Sequence, residues 1–94
     1  MARTGELLFG RALRLRLALW VAGREDPVFF QGEAARGVDY AASAVIQELD
    51  RLDRLGMVTR LPRSAGDRRQ YYARTDSPLW TVVAATSAAL DVSS

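Results

Sequence analysis

The chain contains no cysteine and no histidine, and each absence closes a class of chemistry. Without cysteine there is no disulfide framework, no thiol nucleophile and no thiolate for a metal. Without histidine there is no imidazole ligand, general base or triad. Lysine is missing too, so all 13 basic residues are arginines, set against 11 acids. Long apolar runs are also lacking: the stretch Leu17 to Gly23 is too short to span a bilayer, and Arg14 and Arg16 stand just upstream. With no targeting segment and no cysteine, the expected location is the cytoplasm, with no membrane contact. Carboxylates are the main acid–base groups left. Helical spacing sends Glu33, Glu48, Asp50 and Asp53 in several directions, with no phosphate loop and no paired-acid cleft. An enzyme is the remote reading, and no cofactor or metal is expected.

What is present is enough for one core. At 94 residues, 49% of them hydrophobic, the chain should fold as a single domain spanning residues 1–94. A domain this small buries only ~60–68% of its unfolded surface, so pairing with a second copy would add stability. The net charge of +2 conceals an uneven distribution. From Gly56 to Thr75 there are five arginines (Arg60, Arg63, Arg68, Arg69, Arg74) and one acid, Asp67. A basic patch beside a near-neutral body points to a polyanion contact at one edge.

Between Glu6 and Ala22, Leu13, Leu15, Leu17 and Leu19 alternate as in a strand, while Phe9, Leu13, Leu17, Trp20 and Val21 keep helical spacing. Helix is the better reading, since no β-branched residue precedes Val21 and Leu, Ala and Arg dominate. Gly23 to Pro27 reads as a turn and Val28 to Phe30 as a short edge strand. A short helix from Gln31 to about Val38 ends at Asp39, a residue that tolerates the left-handed conformation of a tight interhelical turn. The next helix, about Ala41 to Leu55, carries Val45, Leu49 and Leu52 at helical spacing and stops at Gly56. Met57–Arg63 and Gln70–Thr75 read as a hairpin around the turn cluster Ser64-Ala65-Gly66-Asp67. Ser77 caps a last helix, with Pro78 at its first position. The expected fold is mostly α with a small β-hairpin, an α+β chain of order α-β-α-α-β-β-α.

Both terminal helices carry surplus apolar surface. On the first, Leu8, Leu15 and Leu19 lie opposite the Phe9, Leu13, Leu17 stripe. On the last, Leu79, Val83 and Leu90 form one stripe and Val82, Ala85 and Ala89 another. Either both are plain core helices, or the second stripes meet a second copy. Four stripes in so short a chain favour a homodimer held through Leu8, Leu15, Leu19, Val82, Ala85 and Ala89.

Several segments follow one another in register: Leu8-Phe9-Gly10 into Arg14-Leu15-Arg16-Leu17, Phe29 to Arg36, Ser43-Ala44-Val45 through Glu48 to Leu52, Leu55-Gly56-Met57-Val58, and Tyr71 to Trp80. Together they resemble the ArsR-like transcriptional regulators over nearly the whole chain, and the element order is then that of a winged helix-turn-helix. Gly66-Asp67-Arg68-Arg69 is also similar to the wing of MarR-like regulators, in which the aspartate braces an arginine that enters the minor groove. The resemblance implies a dimer that binds duplex DNA. Metal-sensing members use cysteine and histidine, so that variant is excluded. Asp39 and Ala41 depart from the Gly and Ser of the family's pattern.

With Val45, Leu49 and Leu52 inward, Ser43, Ala44, Gln47, Arg51 and Arg54 turn outward, the first three near the end of a recognition helix that enters the major groove. Glutamine can bond adenine N6 and N7 together, small Ser and Ala allow close approach, and Arg51 can reach a phosphate or a guanine. Arg63, Arg68 and Arg69 surround the hairpin turn and suit a minor groove, with Asp67 orienting Arg68 or Arg69. A charged hairpin kept for solubility is the alternative. Tyr71 and Tyr72 point to opposite faces, so one is core and the other can touch phosphate. Tyr40, Trp20 and Trp80 are expected to pack. Against DNA stands the segment Asp39 to Leu55, with four acids to two arginines. The expected function is a sequence-specific regulator whose partners are double-stranded DNA and a second copy, its effector unknown. The alternative is a winged-helix protein-interaction module, antitoxin-like or adaptor, that uses the acidic helix.

Overall fold

The computed structural model describes residues 2–93, with side chains described for residues 12–86. Four helices and three strands follow in the expected order: α1 (Ala2–Ala22), β1 (Val28–Phe30), α2 (Gln31–Val38), α3 (Ala42–Arg54), β2 (Val58–Arg60), β3 (Tyr71–Arg74) and α4 (Leu79–Ser93). The hairpin strands are shorter than the β-prone runs that contain them. Leu61 N–H still donates to Tyr71 O at 2.9 Å, but Pro62 has no N–H and pairing stops there. β1 adds a third strand, giving an antiparallel sheet of order β1-β3-β2. The register pairs Phe29 and Arg60 with Tyr72, and Phe30 with Tyr71.

The core gathers one stripe from each helix over one face of this sheet. Leu13, Leu17 and Val21 of α1 meet Ala34, Ala35 and Val38 of α2, Val45, Leu49 and Leu52 of α3, and Phe29, Val58 and Tyr72 of the sheet. The Phe29 and Tyr72 rings stack at 5.9 Å, and Trp20 meets Phe29 edge-on at 5.5 Å. Tyr72 is therefore the core tyrosine, its buried hydroxyl accepting from Gln31 Nε2 at 3.0 Å. On α4 the inward residues are Trp80 and Val83, whereas Leu79, expected inside, is exposed. Trp80 Nε1–H donates to Met57 O at 2.9 Å, which turns the indole, not Leu79, toward the body.

Local chemistry sets the helix ends. Gly56, at φ 75°, and Met57 close α3: Gly56 N–H reaches Asp53 O and Met57 N–H reaches Leu52 O, with both Met57 and Leu52 buried. Ser77 Oγ accepts from Leu79 N–H at 3.2 Å and caps α4. α2 ends at Asp39, left-handed at φ 59°. That conformation costs an ordinary residue with a Cβ about 1 kcal/mol, less for aspartate with its short polar side chain, and glycine nothing sterically. Asp39→Ala is therefore expected to lower the melting temperature by roughly 4–8 °C, and Asp39→Gly to leave it within a degree or two, by circular dichroism.

α1 is closed from a distance. Arg74 of β3 donates through Nη1 to Val21 O at 2.7 Å, satisfying a carbonyl at the helix end, and to Arg24 O in the turn beyond it at 2.8 Å. This arginine belongs to the basic patch in the sequence and to the scaffold in the structure.

Candidate nucleic-acid interface

The outward face of α3 is built as its phase requires. Ser43, Gln47, Arg51 and Arg54 are exposed at spacings of three and four residues, while Ala44 is half-buried against the core and occupies the flank. Of the acids of α3, Glu48 lies off this row, whereas Asp50, three residues from Gln47 and four from Arg54, stands on it with 42% of its side chain exposed. Glu48 pairs with Arg14 of α1 at 3.2 Å and with Arg51 at 3.6 Å, and Asp50 pairs with Arg60 of β2. The acidic excess that would oppose phosphate is thus neutralised from both neighbouring elements.

Beyond β2, Asp67 N–H donates to Ser64 O and Gly66 takes φ 83°, closing the wing turn. Asp67 Oδ1 accepts from Arg69 N–H at 2.9 Å and lies 3.9 Å from Arg69 Nε, so Arg69 is the braced arginine. Its guanidinium donates to the Tyr71 hydroxyl at 3.3 Å and stands 5.2 Å over the Phe30 ring. Arg63 donates to Gln70 Oε1 at 3.3 Å, and Gln70, buried at the wing base, spends its amide on Leu61 O and Tyr71 O. Arg68 is exposed and forms none of the ion pairs or side-chain hydrogen bonds among the described residues.

Two arginines are held above their ordinary pKa: Arg69 by its bond to Tyr71 and then by Asp67, and Arg60 by Tyr72 and then by Asp50. Both shifts only reinforce charges already present at any working pH.

Tyr71 is the outward tyrosine, half-buried beside Phe30 at 5.7 Å. Tyr40 packs against the core under Arg16, whose guanidinium lies 5.5 Å from its ring. Sequence reasoning did not single out Gln70, the Arg74 tie, or Arg36 of α2, which covers the Phe30 ring from 5.8 Å.

Of the residues expected to meet a second copy, Leu15 and Val82 are 37% and 60% exposed, and Ala85 is exposed. Leu19 is half-buried, lining a recess of about 250 Å³ with Ala22, Gly23, Val83 and Ala84 between α1 and α4. Leu8 and Ala89 lie outside the residues whose side chains are described. A second recess, of about 390 Å³, is lined by Arg74, Thr75 and Trp80 among others. Among the described residues no helix is long and apolar enough to cross a membrane, and no group of three acidic side chains converges as a metal site would require.

No protein-family model matches the chain, and no curated protein matches it in sequence. Solved structures do. NadR, crystallised in complex with 4-hydroxyphenylacetate, superposes with a TM-score of 0.60 at 20% identity, over 88% of this chain and 65% of that one. A point mutant of MepR from S. aureus gives 0.56 at 20% identity, over 87% and 62%. Both are winged-helix regulators of the MarR family, and the chain spans less than two thirds of the length of either. The fold is that of a winged helix.

Proposed function

We propose that the chain is a sequence-specific DNA-binding transcriptional regulator acting as a homodimer, with α3 in the major groove and the wing on the minor groove or backbone. The observation that carries this reading is the charge arrangement of α3. The one acid on its outward face with Ser43, Gln47, Arg51 and Arg54 is Asp50, and it is paired with Arg60, while Glu48 on the flank is held by Arg14 and Arg51. A surface with an amide and guanidinia, whose nearby carboxylates are already paired with arginine, suits base edges and phosphates. The adaptor alternative drew on a free acidic helix, and two of those acids, Glu48 and Asp50, are engaged by arginines. Of the two regulator groups the sequence resembles, the ArsR-like one rests on segments spread along the chain. The Asp67–Arg69 brace and the solved neighbours favour the MarR-like one.

Selection of bound duplexes from a random library tests the class: an enriched palindrome supports a dimeric regulator, and no enrichment removes it. On the selected duplex, Gln47→Ala should reduce discrimination against a scrambled site by about 1–3 kcal/mol with the salt dependence unchanged, since an amide reads a base without neutralising phosphate. Arg68→Ala should do the converse, weakening all duplexes alike and flattening the slope of log K against log salt by about one. Equal discrimination by wild type and Gln47→Ala would remove Gln47 from the site.

A further inference from the structure

One carboxylate serves two guanidinia on the flank of α3. Glu48, its side chain 12% exposed, lies 3.2 Å from Arg14 Nε and 3.6 Å from Arg51 Nε, and each arginine keeps 47% of its side-chain surface open. The grip of Arg14 is the closer, with Nε within 3.3 Å of both carboxylate oxygens. If Arg51 were the sole partner of Glu48, its departure would leave a largely buried carboxylate unpaired, which is strongly unfavourable. With Arg14 in place the departure leaves a pair intact.

We infer, resting on the DNA-binding reading above, that Arg14 is a positioning residue for Arg51. By retaining Glu48 it lets Arg51 exchange the carboxylate for a backbone phosphate. Arg14 stands on α1, off the outward row of α3, so its effect on DNA runs through Glu48. The same arrangement couples that exchange to the helix proposed to carry the dimer.

The test is titration of one labelled duplex across a range of salt with wild type, Arg14→Ala, Glu48→Gln and the double variant. Arg14→Ala should hold Arg51 on Glu48 and flatten the slope of log K against log salt by about one, the value of one lost phosphate contact. Glu48→Gln placed on Arg14→Ala should restore the slope, because a neutral amide does not retain a guanidinium. A merely structural pair would behave the other way, since removing the second partner repairs nothing. An unchanged slope in Arg14→Ala, or a double variant no better than Arg14→Ala, overturns the inference and leaves the DNA reading standing. A wild-type protein that binds no duplex overturns both.

Discussion

Gly37→Ala should destabilise the protein by about 2 kcal/mol, although the same change in most helices is favourable by ~0.5–1 kcal/mol. A Cβ at Gly37 would stand within 3.0 Å of three indole atoms of Trp20. The indole has little room to yield, since it meets Phe29 edge-on at 5.5 Å and carries the Arg24 guanidinium 4.7 Å over its ring. Overpacking of this kind costs ~1–3 kcal/mol, and loss of the aromatic contact adds ~0.5–1.5, so the clash outweighs the gain in helix propensity. The melting temperature should fall by roughly 10 °C at fixed protein concentration, followed by circular dichroism and tryptophan emission. A melting temperature equal to or above that of wild type would mean that Trp20 moves aside freely.

A larger functional loss is expected from Leu15→Glu combined with Val82→Glu. These are apolar residues of α1 and α4 at 37% and 60% exposure, and neither belongs to the buried stripe of Leu13, Leu17 and Val21. Burying a carboxylate in a helical interface is strongly unfavourable, so light scattering should report a monomer while the helical circular dichroism persists. Two linked half-site contacts become one, and affinity for a palindromic duplex should drop by about 10²–10⁴. Leu19 is unsuited to this test because it lines the α1–α4 recess, where a charge would also disturb the monomer. A double variant that keeps the wild-type mass would place the interface elsewhere.

Helix periodicity was legible because burial repeats along α1 and α3 at the spacing of a helix, and Asp39, Gly56 and Ser77 announce their turns by residue type. Pairing over distance was not. Arg14, Arg60 and Arg74 read as loose positive charge in the sequence, yet their partners lie 34, 10 and 53 residues away. The same limit hid the sheet: three residues of β1 carry no local sign of a partner, and only the fold brings Val28 to Ala73. On α4, Leu79 and Trp80 are neighbours with equal claim to the core, and a hydrogen bond to Met57 O decides between them. For the wing, residue types identified the arginines but not their division into Arg69, braced over Phe30 and Tyr71, and Arg68, which is not.

The outer edge of β1 has a consequence for self-association. Pro27 O and Gln31 N–H bond to β3, so the alternation of the strand turns Val28 and Phe30 outward. Three of the four outward groups are met by nearby side chains: Val28 N–H donates to Asp26 Oδ1, Val28 O accepts from Arg24 Nη2, and Phe30 N–H donates to the Glu33 carboxylate. An incoming chain would have to displace these bonds to add a strand there. On the opposite edge β2 spans only three residues, and Pro62 just beyond it has no N–H to offer an incoming strand. Strand-by-strand association is thus disfavoured at both edges of the sheet, while the exposed apolar residues of α1 and α4 stay open to pairing.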